Sequence, residues 1–213
     1  MERKLKIDFF HDVICSWCYV LSSRMHKLAE EFPELEIVHH SFALSKDSKD
    51  TIRMFGSMEN AKKEIMKHWR ASNINGDGKI NADLMESRDF EYPSSLNGLR
   101  GCKSAELQGG QAAHWTYFDL VQQAHLTEAR NIGDRNVLID LAEIAGLNIE
   151  KFIKDFDSED VLMRIEEDIR LARAWSINSV PTIMINEEVR VPGAIEYKDL
   201  KALIVKALSE VEH

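Results

Sequence analysis

Two cysteines separated by two residues, Cys15-Ser16-Trp17-Cys18, follow the strand-like run Leu5-Lys6-Ile7-Asp8-Phe9-Phe10 and open a stretch of helical periodicity. No other feature narrows the possible folds as far. A sulfur at a helix N-terminus meets unpaired backbone N–H groups and the positive end of the helix dipole, so a thiolate at Cys15 is stabilised there. Cys18, one turn further in, can reach it without unwinding the helix. The expected chemistry is thiol–disulfide exchange, with Cys15 as nucleophile and Cys18 resolving the mixed disulfide. Neither role needs a metal or an organic cofactor.

The main competitor is half of a zinc site, which commonly needs a second Cys-x-x-Cys or a paired-histidine arrangement. The third cysteine, Cys102, is isolated, and His39 and His40 are adjacent on an apparent strand, where neighbouring side chains point to opposite faces. No metal is therefore expected, and Cys102 reads as a small buried residue. Far downstream, Ser179-Val180-Pro181-Thr182-Ile183-Met184-Ile185-Asn186 places a proline at the entry of an apolar, β-branched run. Proline cannot donate to a ladder, so it belongs at a strand start or edge.

A chain of 213 residues can bury a full core without disulfide staples. No apolar stretch approaches the roughly 18 residues of a membrane span. Met1-Glu2-Arg3-Lys4 leads straight into the first strand, leaving no room for an apolar signal region, so a cytoplasmic protein is expected. In a reducing compartment, a Cys-x-x-Cys is more plausibly catalytic or redox-sensing than structural. The net charge of −9 argues against a broad nucleic-acid or anionic-membrane surface.

Along the chain, residues 4–10 read as a central strand, helix one follows from the cysteines to Phe32-Pro33, and a second strand covers 35–41. No strand is convincing between 44 and 175. Helices are expected at 58–72, at 98–108 and 111–124 (one helix broken at Gly109-Gly110, or two), and at 135–145 behind an Asp134 cap. Another runs from an Asp157 or Ser158 cap to about Trp175. Strands near 182–185 and 188–191, a Pro192-Gly193 turn and a helix from 197 to 211 complete the pattern. The fold class is α/β, in the order β-α-β, helical block, α-β-β-α.

Three lesser candidates stand out. Asn73-Ile74-Asn75-Gly76-Asp77-Gly78-Lys79-Ile80 imitates the start of a calcium loop, but Leu84 occupies the position of its bidentate acid, so a polar turn is expected. His11 and Asp12 lie close to the cysteines in sequence and are placed to tune a thiol or relay protons. Trp17 is placed to contact a substrate or to pack on the helical block.

Taken together, Asp12-Val13-Ile14-Cys15-Ser16-Trp17-Cys18-Tyr19, Asn131-Ile132-Gly133-Asp134-Arg135-Asn136-Val137-Leu138, Val180-Pro181-Thr182 and Val191-Pro192-Gly193-Ala194 resemble the DsbA-like branch of the thioredoxin superfamily. Within it they are similar to the FrnE-like cytosolic group and resemble 2-hydroxychromene-2-carboxylate isomerase/DsbA-like thioredoxin domain proteins. The resemblance implies a thioredoxin fold with a helical domain inserted in its middle, residues 1–43 and 158–213 forming the thioredoxin-like part and 44–157 the insertion. It implies a disulfide oxidoreductase or isomerase with Cys15 and Cys18 as catalytic residues. Pro181 would be the cis-proline facing them, and Ser16, Trp17 and Val180 would contact substrate. Partners would be disulfide-containing proteins or low-molecular-weight thiols. Ser16 stands where the group usually has proline, and the direction of electron flow stays open. A glutathione-dependent isomerase or transferase, and a non-enzymatic peptide-binding module, are the alternatives.

Overall fold

A computed structural model describes residues 5–211 of the chain. The lead-in Met1-Glu2-Arg3-Lys4 lies outside the described residues. Strand β1, Lys6–His11, pairs in parallel with β2, Glu36–Ser41, with Lys6 opposite Glu36 and His11 opposite Ser41. Helix α1, Ser16–Glu31, makes the crossover between them. Strand β3, Thr182–Ile185, runs antiparallel to β1, and β4, Val189–Pro192, antiparallel to β3, giving the sheet order β2-β1-β3-β4.

Between β2 and β3 the elements are helical: α2 (Ser48–Phe55), α3 (Met58–Asn75), α4 (Ala82–Glu86), α5 (Leu96–Gln122) continuing into a π-turn (Gln123–Thr127), α6 (Arg135–Ile144), α7 (Ile149–Phe156) and α8 (Glu159–Ala174). Helix α9, Tyr197–Val211, follows β4. Asp134 caps α6 through the Asn136 amide, and Ser158, rather than Asp157, caps α8 through the Val161 amide. Helices α2, α4 and α7 escape the sequence reading. They have 8, 5 and 8 residues, too few turns to show a period, although Asp47, Asn81 and Asn148 cap them in the ordinary way.

Every residue of β1 after Lys6 is buried, because helices cover both faces of the sheet. Alternation sorts its side chains. Ile7 and Phe9 enter the main core with Leu21, Met25 and Phe118, while Phe10 packs on the other face with Ala172, Ile177 and Met184. Helix α5 is broken at Gly109-Gly110, where Gly110 takes φ 66° and ψ −155°, a conformation glycine alone adopts without strain. The two halves therefore run as separate helices joined by a kink. Near its start, Gly98 faces Val13, and a Cβ at that position would stand 2.6 Å from Val13 Cγ2. The missing side chain lets the Val13 side chain, in the loop ahead of Cys15, pack directly on the α5 backbone. The result is a thioredoxin fold of the α/β class, its β-α-β and α-β-β-α halves separated in sequence by helices.

Candidate active site

Cys15 is the N-cap of α1, with extended backbone angles, and its Sγ accepts a hydrogen bond from the Cys18 amide at 3.3 Å. A cap position normally falls to Ser, Asp or Asn; here sulfur fills it, so the helix end bears directly on the reactive atom. Across the gap, the Cys15 thiol donates to the Val180 carbonyl at 3.6 Å. The Val180–Pro181 peptide is cis. The loop around it is fixed by Thr182 Oγ1 donating to the Ser179 carbonyl (2.8 Å) and the Gly193 amide donating to the Pro181 carbonyl (2.8 Å). Among the described residues the Val180 N–H makes no hydrogen bond.

Cys15 keeps 7% of its surface exposed, while Cys18 and Cys102 keep none. Burial pushes the Cys18 thiol well above its usual range, and the neighbouring Cys15 thiol adds to the effect. Burial does the same to Cys102. Cys15, Ser16, Trp17 and Val180 line one cavity of about 290 Å³. Its remaining wall includes Met54 and Phe55 of α2, Ile65, His68 and Trp69 of α3, and Tyr92. Cys18 and Pro181 are buried and do not line it. Trp17 lines the cavity and packs on the main core.

The loop that carries the cysteines is held from several distant elements. Asp12 Oδ1 accepts from the Ile14 amide (3.2 Å), and Oδ2 accepts from the Leu44 amide (2.6 Å) and from Ser95 Oγ (2.5 Å). Burial raises the Asp12 carboxyl to about 6, against the lowering effect of the Ser95 and amide hydrogen bonds. Gln122 Nε2, at the end of α5, donates to the carbonyls of Asp12 (3.2 Å) and Cys15 (3.0 Å). Tyr92 Oη donates to the Ile14 carbonyl at 3.4 Å and lies 3.0 Å from Nε2 of His125, whose imidazole burial pushes down to about 3. Of these groups sequence reasoning singled out only Asp12. The π-turn that follows Gln122 is the one structural marker of the others, since such bulges gather at functional sites, and it has no signature in the residues themselves.

His11 does not face the cavity. It lies on the main-core face of the sheet, its ring tilted against Phe118 with centres 3.9 Å apart and beside His39. His39 and His40 do diverge, the former toward His11 and the latter toward Asp8 and Asp168. The calcium-like stretch begins inside α3, which runs to Asn75, and the polar turn after it engages the protein's own groups. Asn73 Oδ1 accepts from the Ile80 amide (2.9 Å), and Asp77 takes the Lys79 amide (3.1 Å), Lys79 Nζ (3.0 Å) and Tyr19 Oη (3.2 Å).

Among the described residues no helix is long and apolar enough to cross a membrane. The chain is 23% identical over 215 residues to the ClpXP adapter protein SpxH of Bacillus subtilis, covering 98% of this chain and 69% of that one. The cytosolic disulfide reductase DsbM of Pseudomonas aeruginosa superposes with a TM-score of 0.76 at 20% identity, covering 96% of this chain and 98% of the other. A 2-hydroxychromene-2-carboxylate isomerase superposes with a TM-score of 0.68 at 18% identity, covering 96% and 97%. At these identities the structural likeness concerns the fold. Residues 6–205 match the family model of the DSBA-like thioredoxin domain, and the chain belongs to that family.

Proposed function

We propose that the protein is a thiol–disulfide oxidoreductase acting on disulfide-containing proteins or low-molecular-weight disulfides. One observation carries this reading: Cys15 Sγ sits on the α1 N-terminus, bonded by the Cys18 amide, and faces a Val180 backbone whose N–H is free to pair with an extended chain. In the reducing direction the Cys15 thiolate attacks one sulfur of the substrate disulfide and displaces the other as a thiolate. A mixed disulfide through Cys15 results. Cys18 then loses its proton and attacks Cys15 Sγ, releasing the second substrate thiol. The substrate gains two electrons, the Cys15–Cys18 disulfide holds the oxidised equivalent, and an external thiol resets it. The reverse sequence oxidises a dithiol. Asp12, Gln122 and Tyr92 position the loop that presents the sulfurs.

Steady-state reduction of a protein disulfide with glutathione as reductant tests the proposal. Cys15→Ser should abolish turnover, and Cys18→Ser should accumulate mixed disulfides that a reductant releases. Full activity in Cys15→Ser would overturn it. The SpxH similarity favours a second reading, a peptide-docking adapter that uses the same cavity. Retained partner binding by the Cys15→Ser/Cys18→Ser double variant, with no disulfide turnover by the native protein, would select that reading instead.

A further inference from the structure

Three histidines distant in sequence meet in the core. His11 ends β1, His39 lies on β2 diagonally across the same sheet face, and His114 projects from α5 just past the Gly109-Gly110 kink. All three are fully buried. Their ring centres form a nearly equilateral triangle with sides of 5.1, 5.2 and 5.3 Å. His11 Nε2 and His39 Nδ1 stand 3.2 Å apart, and one nitrogen from each ring lies within 4.8 Å of the other two. Nitrogens bound to one tetrahedral zinc ion at about 2.0–2.1 Å would be about 3.3 Å apart, with ring centres about 5.2 Å apart.

His11 Nε2 and His39 Nδ1, the nitrogens that would face the ion, meet only each other, and His114 Nε2 is buried without a partner among the described residues. Buried polar atoms are seldom left so. Burial holds all three imidazoles below their usual range, and a neutral imidazole is the form that binds a metal. Glu106 Oε2 lies 2.7 Å from His114 Nδ1, a carboxylate–histidine pairing that fixes the tautomer and leaves Nε2 as the nitrogen available to an ion. The nearby cation, Lys103, is committed to Glu106 (2.9 Å) and Asp168 (2.8 Å).

We propose that His11, His39 and His114 form a binding site for one zinc-class divalent cation, tying the two parallel strands to the second half of α5. Three protein nitrogens leave the fourth position of the tetrahedron to a water carried in with the ion. The strand alternation that separates His39 from His40 made no metal the expectation; β1 and α5 supply the partners that β2 lacks. The site is enclosed by Phe9, Phe118 and Trp115, so the ion enters as the chain folds.

The test is refolding of the full chain with and without Zn2+, followed by oxidation to the Cys15–Cys18 disulfide, which removes those thiolates as ligands. One zinc should remain per chain after desalting, and its X-ray absorption should show a nitrogen shell at about 2.0–2.1 Å rather than sulfur at about 2.3 Å. With free zinc near a hundredfold above the dissociation constant, Tm should rise by about 5–10 °C. His114→Gln should lower zinc affinity at least about tenfold while keeping the native alkylation pattern of the cysteines. Substoichiometric zinc after refolding, a sulfur shell, or undiminished affinity in His114→Gln would each overturn the site. Should that variant misfold, the stoichiometry and shell of the unaltered protein decide the matter.

Discussion

Asp12 is the residue through which the cysteine loop answers to pH. Its carboxylate takes three hydrogen bonds, yet burial holds it at about 6. Its charge also disfavours a thiolate at Cys18, which must nonetheless lose a proton before resolving a mixed disulfide. We expect the single-turnover rate of that resolving step to show an ionisation near pH 6 that disappears in Asp12→Asn; an unchanged profile would remove Asp12 from the step. Stability follows the same group. Its folded value lies above the roughly 3.9 of an unfolded aspartate, so the native state binds the extra proton between about pH 4 and 6. This contribution is therefore lost as pH rises through that window, and Asp12→Asn should flatten the corresponding part of a Tm-versus-pH curve. Exposure sets a second expectation at this scale. Cys15 should be alkylated well before Cys18 and Cys102 in the reduced protein, and peptide mapping that finds equal rates would contradict the assignment of Cys15 as the attacking thiol.

Among the elements, α5 organises the site. Its first turns carry Gly98 against Val13, its last residue Gln122 holds the Asp12 and Cys15 carbonyls, and the π-turn after it brings His125 to Tyr92. Gly98→Ala would drive a methyl into Val13, with overpacking expected to cost about 1–3 kcal/mol and to displace the loop that presents Cys15. Both Tm and kcat/KM for disulfide reduction should fall. An unchanged Tm would show that α5 can shift without consequence. Helix α1 is anchored at its other face by Arg24, whose guanidinium donates to the carbonyls of Ala194 (2.7 Å), Ile195 (2.8 Å) and Asn75 (3.0 Å). That clamp ties the cysteine-bearing helix to the segment after β4 and to the end of α3.

For the whole molecule, the sheet face opposite the main core carries a buried ionic network. His40 lies between Asp168 (2.9 Å) and Asp8 (2.8 Å), and Lys103 joins Asp168 to Glu106. Burial alone would lower the His40 imidazole, but the two carboxylates outweigh it and the net shift is upward. A group raised on folding contributes stability that is complete below its unfolded value of about 6.5 and is lost as pH rises through the folded value. Thermal stability should therefore decline above about pH 6.5, and His40→Gln should be less stable at pH 6 with a flatter decline. A steeper decline in that variant would contradict the network's charge state. The parts of this architecture legible in sequence are those with local causes. The β1-α1-β2 and α8-β3-β4-α9 halves announce themselves through periodicity, caps and proline placement, whereas α2, which walls the cavity with Met54 and Phe55, has only 8 residues and no visible period.

What the residues alone determined is the strand–turn–helix that carries Cys15 and Cys18, and the proline that opens β3. Both follow from backbone preferences acting within a few neighbours. The resemblance set the Val180–Pro181 loop against Cys15; tertiary structure alone decided that Gln122 holds Asp12 across 110 positions and that His11 and His39 stand together across 28. Such contacts depend on strand register and on how the helices pack on the sheet, and neither quantity is written in any short stretch of chain.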